Sequence, residues 1–218
     1  MTGTLSAETQ ARDLIVRVGA SLFERGLTPG STGNISVRLE DGGFLMTPTN
    51  ASLGDLDPAA LSRLDRDGYH LGGDAPTKEA FLHRCMYCER AGDGAVVHLH
   101  STHAVGVSIL RDIDPEDVLP PLTAYYLMRV GRLPLVPYHA PGDAALALAV
   151  QRVAGRHHAV LLANHGPVVS GRDLRAAQYA IEELEETAKL FLLLGAHALR
   201  PIAPDEAARL RPDPDAGP

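Results

Sequence analysis

Ala95-Val96-Val97-His98-Leu99-His100 is a short apolar run that ends in two histidines two residues apart. Residues i and i+2 of a strand share a face, so the spacing predicts that both imidazoles aim at one point. A second apolar run, Ala159-Val160-Leu161-Leu162-Ala163, ends in the same manner, in Asn164-His165-Gly166. Two strands that finish in histidine can gather three imidazoles, His98, His100 and His165, around a divalent metal. Three neutral imidazoles suit Zn²⁺ and leave a fourth position open for water or substrate; Mn²⁺ and Co²⁺ are accepted by the same ligands. His103 is expected close to this centre without binding the metal.

Outward from that run the chain alternates strands and helices. Residues 6–25 carry Leu14, Ile15, Val18 and Leu22 at helical spacing, with Gly26 as a stop. Ile35–Leu39 and Phe44–Thr47 read as a hairpin turned by Asp41-Gly42-Gly43. Two short strands flank Asp65-Arg66-Asp67-Gly68, and a helix from Lys78 to about Arg90 sets Glu79 and His83 on one face. Further helices are expected over 102–110, 122–130 and 143–154, the last capped by Asp143. Leu133–Tyr138 is a short strand hemmed by prolines. From Asp173 to about Leu199 a helical seam recurs at Leu174, Ala177, Ile181, Leu184, Ala188, Phe191 and Gly195, with Glu182, Glu183, Glu185 and Glu186 read as a solvated acidic face. The interleaving predicts one α/β or α+β domain over residues 1–200; 201–218, rich in Pro, Asp and Ala, is expected to be a loose tail.

Composition excludes several classes. With a net charge of −7 and no Lys/Arg block, nucleic acid and anionic membranes are poor partners. Met1–Glu8 has neither a basic nor an apolar signal region, and no apolar stretch reaches the ~18 residues of a membrane span. A reduced, cytoplasmic protein is the expectation. The two cysteines, Cys85 and Cys88, have no second pair to complete a metal knuckle and are read as helix packing. His157 and His158 are read as exposed loop residues.

Groups suited to an oxyanion surround the histidines. The loops at Gly33-Asn34 and Thr49-Asn50, and Thr77 at a helix start, offer N–H, hydroxyl and amide donors; each alone is equally an ordinary turn. Glu79 at that helix start either caps the helix dipole or, facing the metal, becomes the proton-transfer group.

Five motifs stand in order: Gly33-Asn34-Ile35-Ser36, Thr47-Pro48-Thr49, Pro76-Thr77-Lys78-Glu79, His98-Leu99-His100 and His165-Gly166. This series resembles the class II aldolase/adducin family over about residues 10–195. The resemblance implies a three-layer αβα fold around a largely antiparallel, mixed sheet. It implies Zn²⁺ on His98, His100 and His165, an acid/base at Glu79 that also ligates the metal when no substrate is present, and a phosphate pocket from Gly33, Asn34, Thr49, Asn50 and Thr77. It further implies a homotetramer with active sites at subunit boundaries and a tyrosine from the neighbour, assigned to Tyr125 with Tyr126 adjacent.

One departure is informative. Where the aldolases carry a second small hydroxyl residue before the glutamate, this chain has Lys78, whose ammonium suits an extra anionic group. With the segments 182–189 and 128–134, the chain looks most like the branch that decarboxylates 3-oxo-tetronate 4-phosphates. The expected reaction yields dihydroxyacetone phosphate and CO2 through a metal-stabilised enediolate, with proton transfer by Glu79, Tyr125 or Lys78. The alternatives are aldol cleavage of a ketose or sugar-acid phosphate, and a non-catalytic adducin-type assembly module.

Overall fold

The computed structural model describes residues 6–140 and 143–212. Eight strands form one sheet: β1 (Asn34–Arg38), β2 (Phe44–Met46), β3 (Ser62–Leu64), β4 (His70–Gly72), β5 (Ala95–His98), β6 (Leu135–Val136), β7 (Ala159–Leu162) and β8 (Gly166–Gly171). Their order is β4-β3-β2-β1-β5-β8-β7-β6, and every pairing is antiparallel except β6 with β7. The helices are α1 (Ala7–Glu24), α2 (Ala80–Glu89), α3 (Thr102–Ser108), α4 (Ala124–Arg129), α5 (Ala144–Ala154), α6 (Leu174–Leu194) and α7 (Pro204–Leu210).

Strand alternation sorts the core into two layers. Ala95, Val97, Ala159, Leu161 and Val169 face α1, α3, α4 and α6. Val96, Val160, Leu162 and Val168 face the other way, onto Leu82 and Met86 of α2 and Leu146 and Val150 of α5. The result is the expected αβα sandwich. The seam of α6 is buried as its period predicts, from Leu174 through Ala177, Ile181 and Leu184 to Ala188. Asp143 caps α5, accepting from the Ala145 N–H at 2.8 Å.

Strand β8 is absent from the sequence reading, because Pro167 and two glycines disguise it. It pairs on both sides, with β5 and with β7. Being antiparallel to both, it makes β5 and β7 parallel to each other, so both histidine-bearing ends emerge at one end of the sheet. Pro167 is tolerated because its carbonyl is the group the neighbouring chain needs: it accepts from the Leu99 N–H at 3.2 Å.

The tail also differs from expectation. Residues 204–210 form α7, with Pro204 in the first turn and Asp205 and Glu206 at its positive end. Ala207 is buried in the main core, and Arg211 pairs with Asp117 at 2.6 Å. Composition suggested looseness, yet helix-start chemistry was present. Residues 213–218 lie outside the described residues. Three smaller readings change as well. Cys88 is exposed whereas Cys85 is part-buried. His157 and His158 are part-buried rather than exposed, and His158 Nδ1 lies 3.0 Å from the Ser170 carbonyl. Glu185 is no solvated surface group. It is buried and caps α3, accepting from the backbone N–H of His103 and Ala104.

Candidate metal centre

His98 is the last residue of β5 and stands opposite Asn34 of β1, both on the sheet face that packs against α2. His100 follows two residues on, beyond the strand end. His165 sits in the three-residue loop between β7 and β8, where Leu162 pairs with Gly166. Asn164 turns that loop with φ 58, a left-handed conformation that Asn tolerates better than most residues. Gly166 has φ 151, and a Cβ there would meet the Leu99 carbonyl oxygen at 2.2 Å. A glycine therefore lets the His165 loop close against the end of β5. Gly33 does similar service on the other flank, with φ 78 and the His98 carbonyl 3.0 Å from where a Cβ would sit.

The three Nε2 atoms converge. His98 and His165 are 3.3 Å apart, His100 and His98 3.1 Å, and His165 and His100 3.1 Å. Tetrahedral coordination with metal–nitrogen bonds of about 2.0–2.1 Å spaces its ligands about 3.3–3.4 Å apart, close to what is seen. His98 Nδ1 lies 2.8 Å from the Pro167 carbonyl. It must donate there, so the Nε2 of a neutral ring offers its lone pair to the centre. Burial, followed by the neighbouring His98 and His165, lowers the His100 pKa to about 4, so this ring is neutral at physiological pH. Lone pairs facing one another at such distances are repulsive without a cation between them. The set fits a divalent metal.

Glu79 completes it. Its Oε1 is 3.0 Å from His165 Nε2 and its Oε2 3.4 Å from His98 Nε2, and the donor atoms of all four residues lie within 4.8 Å of one another. Glu79 is the N-cap residue of α2, yet its side chain makes no cap hydrogen bond; the carboxylate faces the histidines, so the reading of a mere dipole cap fails. Burial pushes its pKa up, but contact with His165 and His98 and the Asn34 amide outweighs burial and holds it well below the usual carboxylate range. Glu79 is ionised at neutral pH.

The remaining expected residues divide. Thr77 is buried, and its hydroxyl accepts from the Glu79 N–H at 3.2 Å. Thr49 lies alongside, because the 47–49 and 75–77 segments are tied by Thr49 N–H to the Ala75 carbonyl and Thr77 N–H to the Thr47 carbonyl. The Asn34 amide donates to Glu79 Oε2 at 2.7 Å, so it serves the carboxylate. Asn50 turns with φ 59 at a cleft of about 260 Å³ that also holds Asp55, Asp57 and Asp74. Lys78 is exposed beside Glu79 and has no ion pair among the described residues. His103 points to Glu185, its Nδ1 2.7 Å from that carboxylate.

Tyr125 and Tyr126 separate cleanly. Tyr126 is fully buried in the core. Tyr125 is exposed, its ring near the Arg129 guanidinium, in a groove of about 620 Å³ shared with Tyr179, Glu182 and Glu183. That groove lies on the α4–α6 side of the sheet, opposite the face that carries Glu79 and His98. Sequence reasoning missed Ser36 and Tyr87, which hydrogen-bond behind the centre. His83 was singled out only by its i, i+4 relation to Glu79, which was the available signal.

No helix among the described residues is long and apolar enough to cross a membrane. Comparison with known proteins agrees with the geometry. Residues 13–192 match the family described as class II aldolase and adducin N-terminal domain. The chain is 47% identical over 207 residues to the 3-oxo-tetronate 4-phosphate decarboxylase of Pectobacterium atrosepticum, covering 95% of each. It is 48% identical over 206 residues to the protein of the same name from Cupriavidus necator, covering 93% of this chain and 94% of that one. Among solved structures, YgbL from Escherichia coli superimposes with a TM-score of 0.92 at 44% identity, covering 95% of this chain and all of that one. The chain belongs to the class II aldolase and adducin N-terminal domain family.

Proposed function

We propose that this protein is a metal-dependent carbon–carbon lyase that converts a 3-oxo-tetronate 4-phosphate into dihydroxyacetone phosphate and CO2. The reading is carried by one observation: an ionised carboxylate, Glu79, set 3.0 Å from an imidazole of a three-histidine cluster in a chain nearly half identical to two proteins named for that reaction. His98, His100 and His165 would hold the metal, Zn²⁺ by preference, with Mn²⁺ or Co²⁺ accommodated. A divalent cation held there would act as a Lewis acid, offsetting the negative charge that accumulates as the carbon–carbon bond breaks.

The chain's own residues do the rest. The C1–C2 bond breaks, CO2 leaves, and its electron pair stays on C2 and the C3 oxygen. Glu79 takes up the proton of the C2 hydroxyl as the substrate binds and returns a proton to C2. One proton from solvent then restores the hydroxyl and balances the reaction. Lys78, exposed beside Glu79, holds the substrate carboxylate until it departs. Gly33, Thr49, Asn50 and Thr77 receive the phosphate near the start of α2, with Asn34 kept for Glu79. Tyr125 stands on the far side of the sheet, so it serves the centre of a neighbouring copy, in a homotetramer with sites at subunit boundaries. The setting is cytoplasmic.

Purified protein supplied with a 3-oxo-tetronate 4-phosphate tests the reading. CO2 and dihydroxyacetone phosphate in equal amounts, with no aldehyde, is the expected result. Aldehyde from ketose phosphates with no CO2 from the keto acid would replace it with aldol cleavage.

A further inference from the structure

Behind the carboxylate of Glu79 runs a chain of buried polar groups, Asn34, His83, Ser36 and Tyr87. Asn34 donates to Glu79 Oε2 at 2.7 Å, and its other amide atom meets Nε2 of His83. His83 Nδ1 is 2.7 Å from Ser36 Oγ, which is 2.9 Å from the Tyr87 hydroxyl. Asn34 and Ser36 lie two apart on β1, and His83 and Tyr87 four apart on α2, so strand and helix periods together build the chain. Tyr87 is fixed in turn by stacking on Phe44, with ring centroids 4.9 Å apart, and by the Arg38 guanidinium 4.8 Å from its ring centroid. All four side chains are buried.

The direction of every bond follows from chemistry. An ionised carboxylate only accepts, so the amide nitrogen of Asn34 must face Glu79 and its oxygen must face His83. Nε2 of His83 therefore carries the proton. Burial holds the His83 pKa down at about 3, so the ring is neutral and its Nδ1 has a lone pair. Ser36 donates to that lone pair, and the Tyr87 hydroxyl donates to Ser36. No member can reverse without stranding a buried donor or acceptor, a penalty of about 1–3 kcal/mol each. The alternation is closed at both ends.

We propose that His83 is a positioning residue for the proton-transfer carboxylate. Locked as the Nε2–H tautomer by Ser36 and Tyr87, it fixes the Asn34 amide so that its N–H grips Oε2 of Glu79 and leaves Oε1 beside His165. His83 itself touches neither substrate nor metal. The inference rests on the reading that Glu79 moves the proton, and it adds the device that aims it.

Two substitutions separate positioning from packing. His83→Phe fills the space but removes the donor; His83→Gln keeps an amide N–H near the position of Nε2. Loss of an outlying partner of a metal site typically reduces activity by about 10–100-fold. His83→Phe should therefore lower kcat by that factor with KM changed by less than about threefold. His83→Gln should recover kcat to within about fivefold of the parent. A second readout needs no substrate. In Co²⁺-loaded protein, the visible spectrum of His83→Phe should move toward that of Glu79→Gln, whereas His83→Gln keeps the parent spectrum.

Recovery of kcat and spectrum by glutamine alone supports the proposal. Parent-like behaviour of His83→Phe, or equal defects in both variants, overturns it. Nitrogen NMR of the parent decides independently of any variant's folding: a proton on His83 Nε2 supports the assignment, and a proton on Nδ1 refutes it. If the parent releases no CO2 while the cobalt spectra respond as stated, the proposed reaction fails and the positioning role stands.

Discussion

His98 gives its Nδ1 proton to the carbonyl of Pro167, 2.8 Å away, across the β5–β8 pairing. The bond fixes both the ring rotation and the tautomer of a buried histidine, and turns its Nε2 toward His100 and His165. A proline at that position is suited to the task. With no N–H of its own, it presents only a carbonyl to the strand beside it.

Removal of one imidazole should abolish tight metal binding. His165→Ala and His98→Ala are each expected to retain less than a tenth of the parent's metal after dialysis and to lose at least about 10²–10³-fold in turnover, the scale of a lost electrostatic stabiliser. Elemental analysis and CO2 release read both effects. Full metal content with full turnover in either variant would mean that the cluster is not the working site.

Glu79→Gln keeps the shape of the side chain but removes the proton carrier. Metal should remain bound, and kcat should fall by about 10²–10⁴-fold, the usual contribution of a general acid–base group. Stopped kinetics at saturating substrate measure it. A change confined to KM would assign Glu79 to binding instead.

Lys78→Met removes the cation proposed to hold the substrate carboxylate. The expected outcome is a drop in kcat/KM of at least about tenfold for the keto acid, the scale of a lost charge-assisted hydrogen bond. Lys78→Arg, which keeps the charge, should retain more activity than Lys78→Met. Equal loss in the two would argue against charge as the reason for this residue.

Stability should fall with pH through His83. Its folded pKa is depressed from 6.5 to about 3, so below pH 6.5 the unfolded chain binds a proton that the folded chain refuses. That linkage makes the folded state less stable as pH drops. Between pH 7.5 and 5 the loss from this single buried ring is about 2 kcal/mol, and His100, lowered to about 4 by burial and its neighbours, acts in the same direction. Urea unfolding of metal-free protein at the two pH values checks the sign. A smaller drop in His83→Gln than in the parent would locate it.

Much of this architecture is written in local pattern. The apolar runs Ala95–Val97 and Ala159–Leu162 are enough to name two strands, the two-residue spacing puts His98 and His100 on one side, and the α6 seam announces a long packed helix. Strand β8 was hidden because its evidence is tertiary: Gly166 and Pro167 look like a turn until β5 and β7 are seen to need a partner between them. Glu185 was misread for a related reason. Its neighbours in sequence are acidic and solvated, but its own partners, the N–H groups of His103 and Ala104, lie some eighty residues away. The histidines themselves were legible from spacing, while the roles of Asn34, Ser36 and Tyr87 depended on β1 and α2 meeting face to face.

The claim on which the rest depends is that three imidazoles, His98 at the end of β5, His100 just past it and His165 in the β7–β8 loop, bind one divalent cation. X-ray absorption at the metal edge of reconstituted protein tests it most directly. One metal per chain with three imidazole nitrogens at about 2.0–2.1 Å is the expected result, with the metal edge of dialysed His165→Ala reduced to less than about a tenth of the parent's. Less than about half an equivalent of metal after reconstitution, or a shell of oxygens without imidazole, would contradict it.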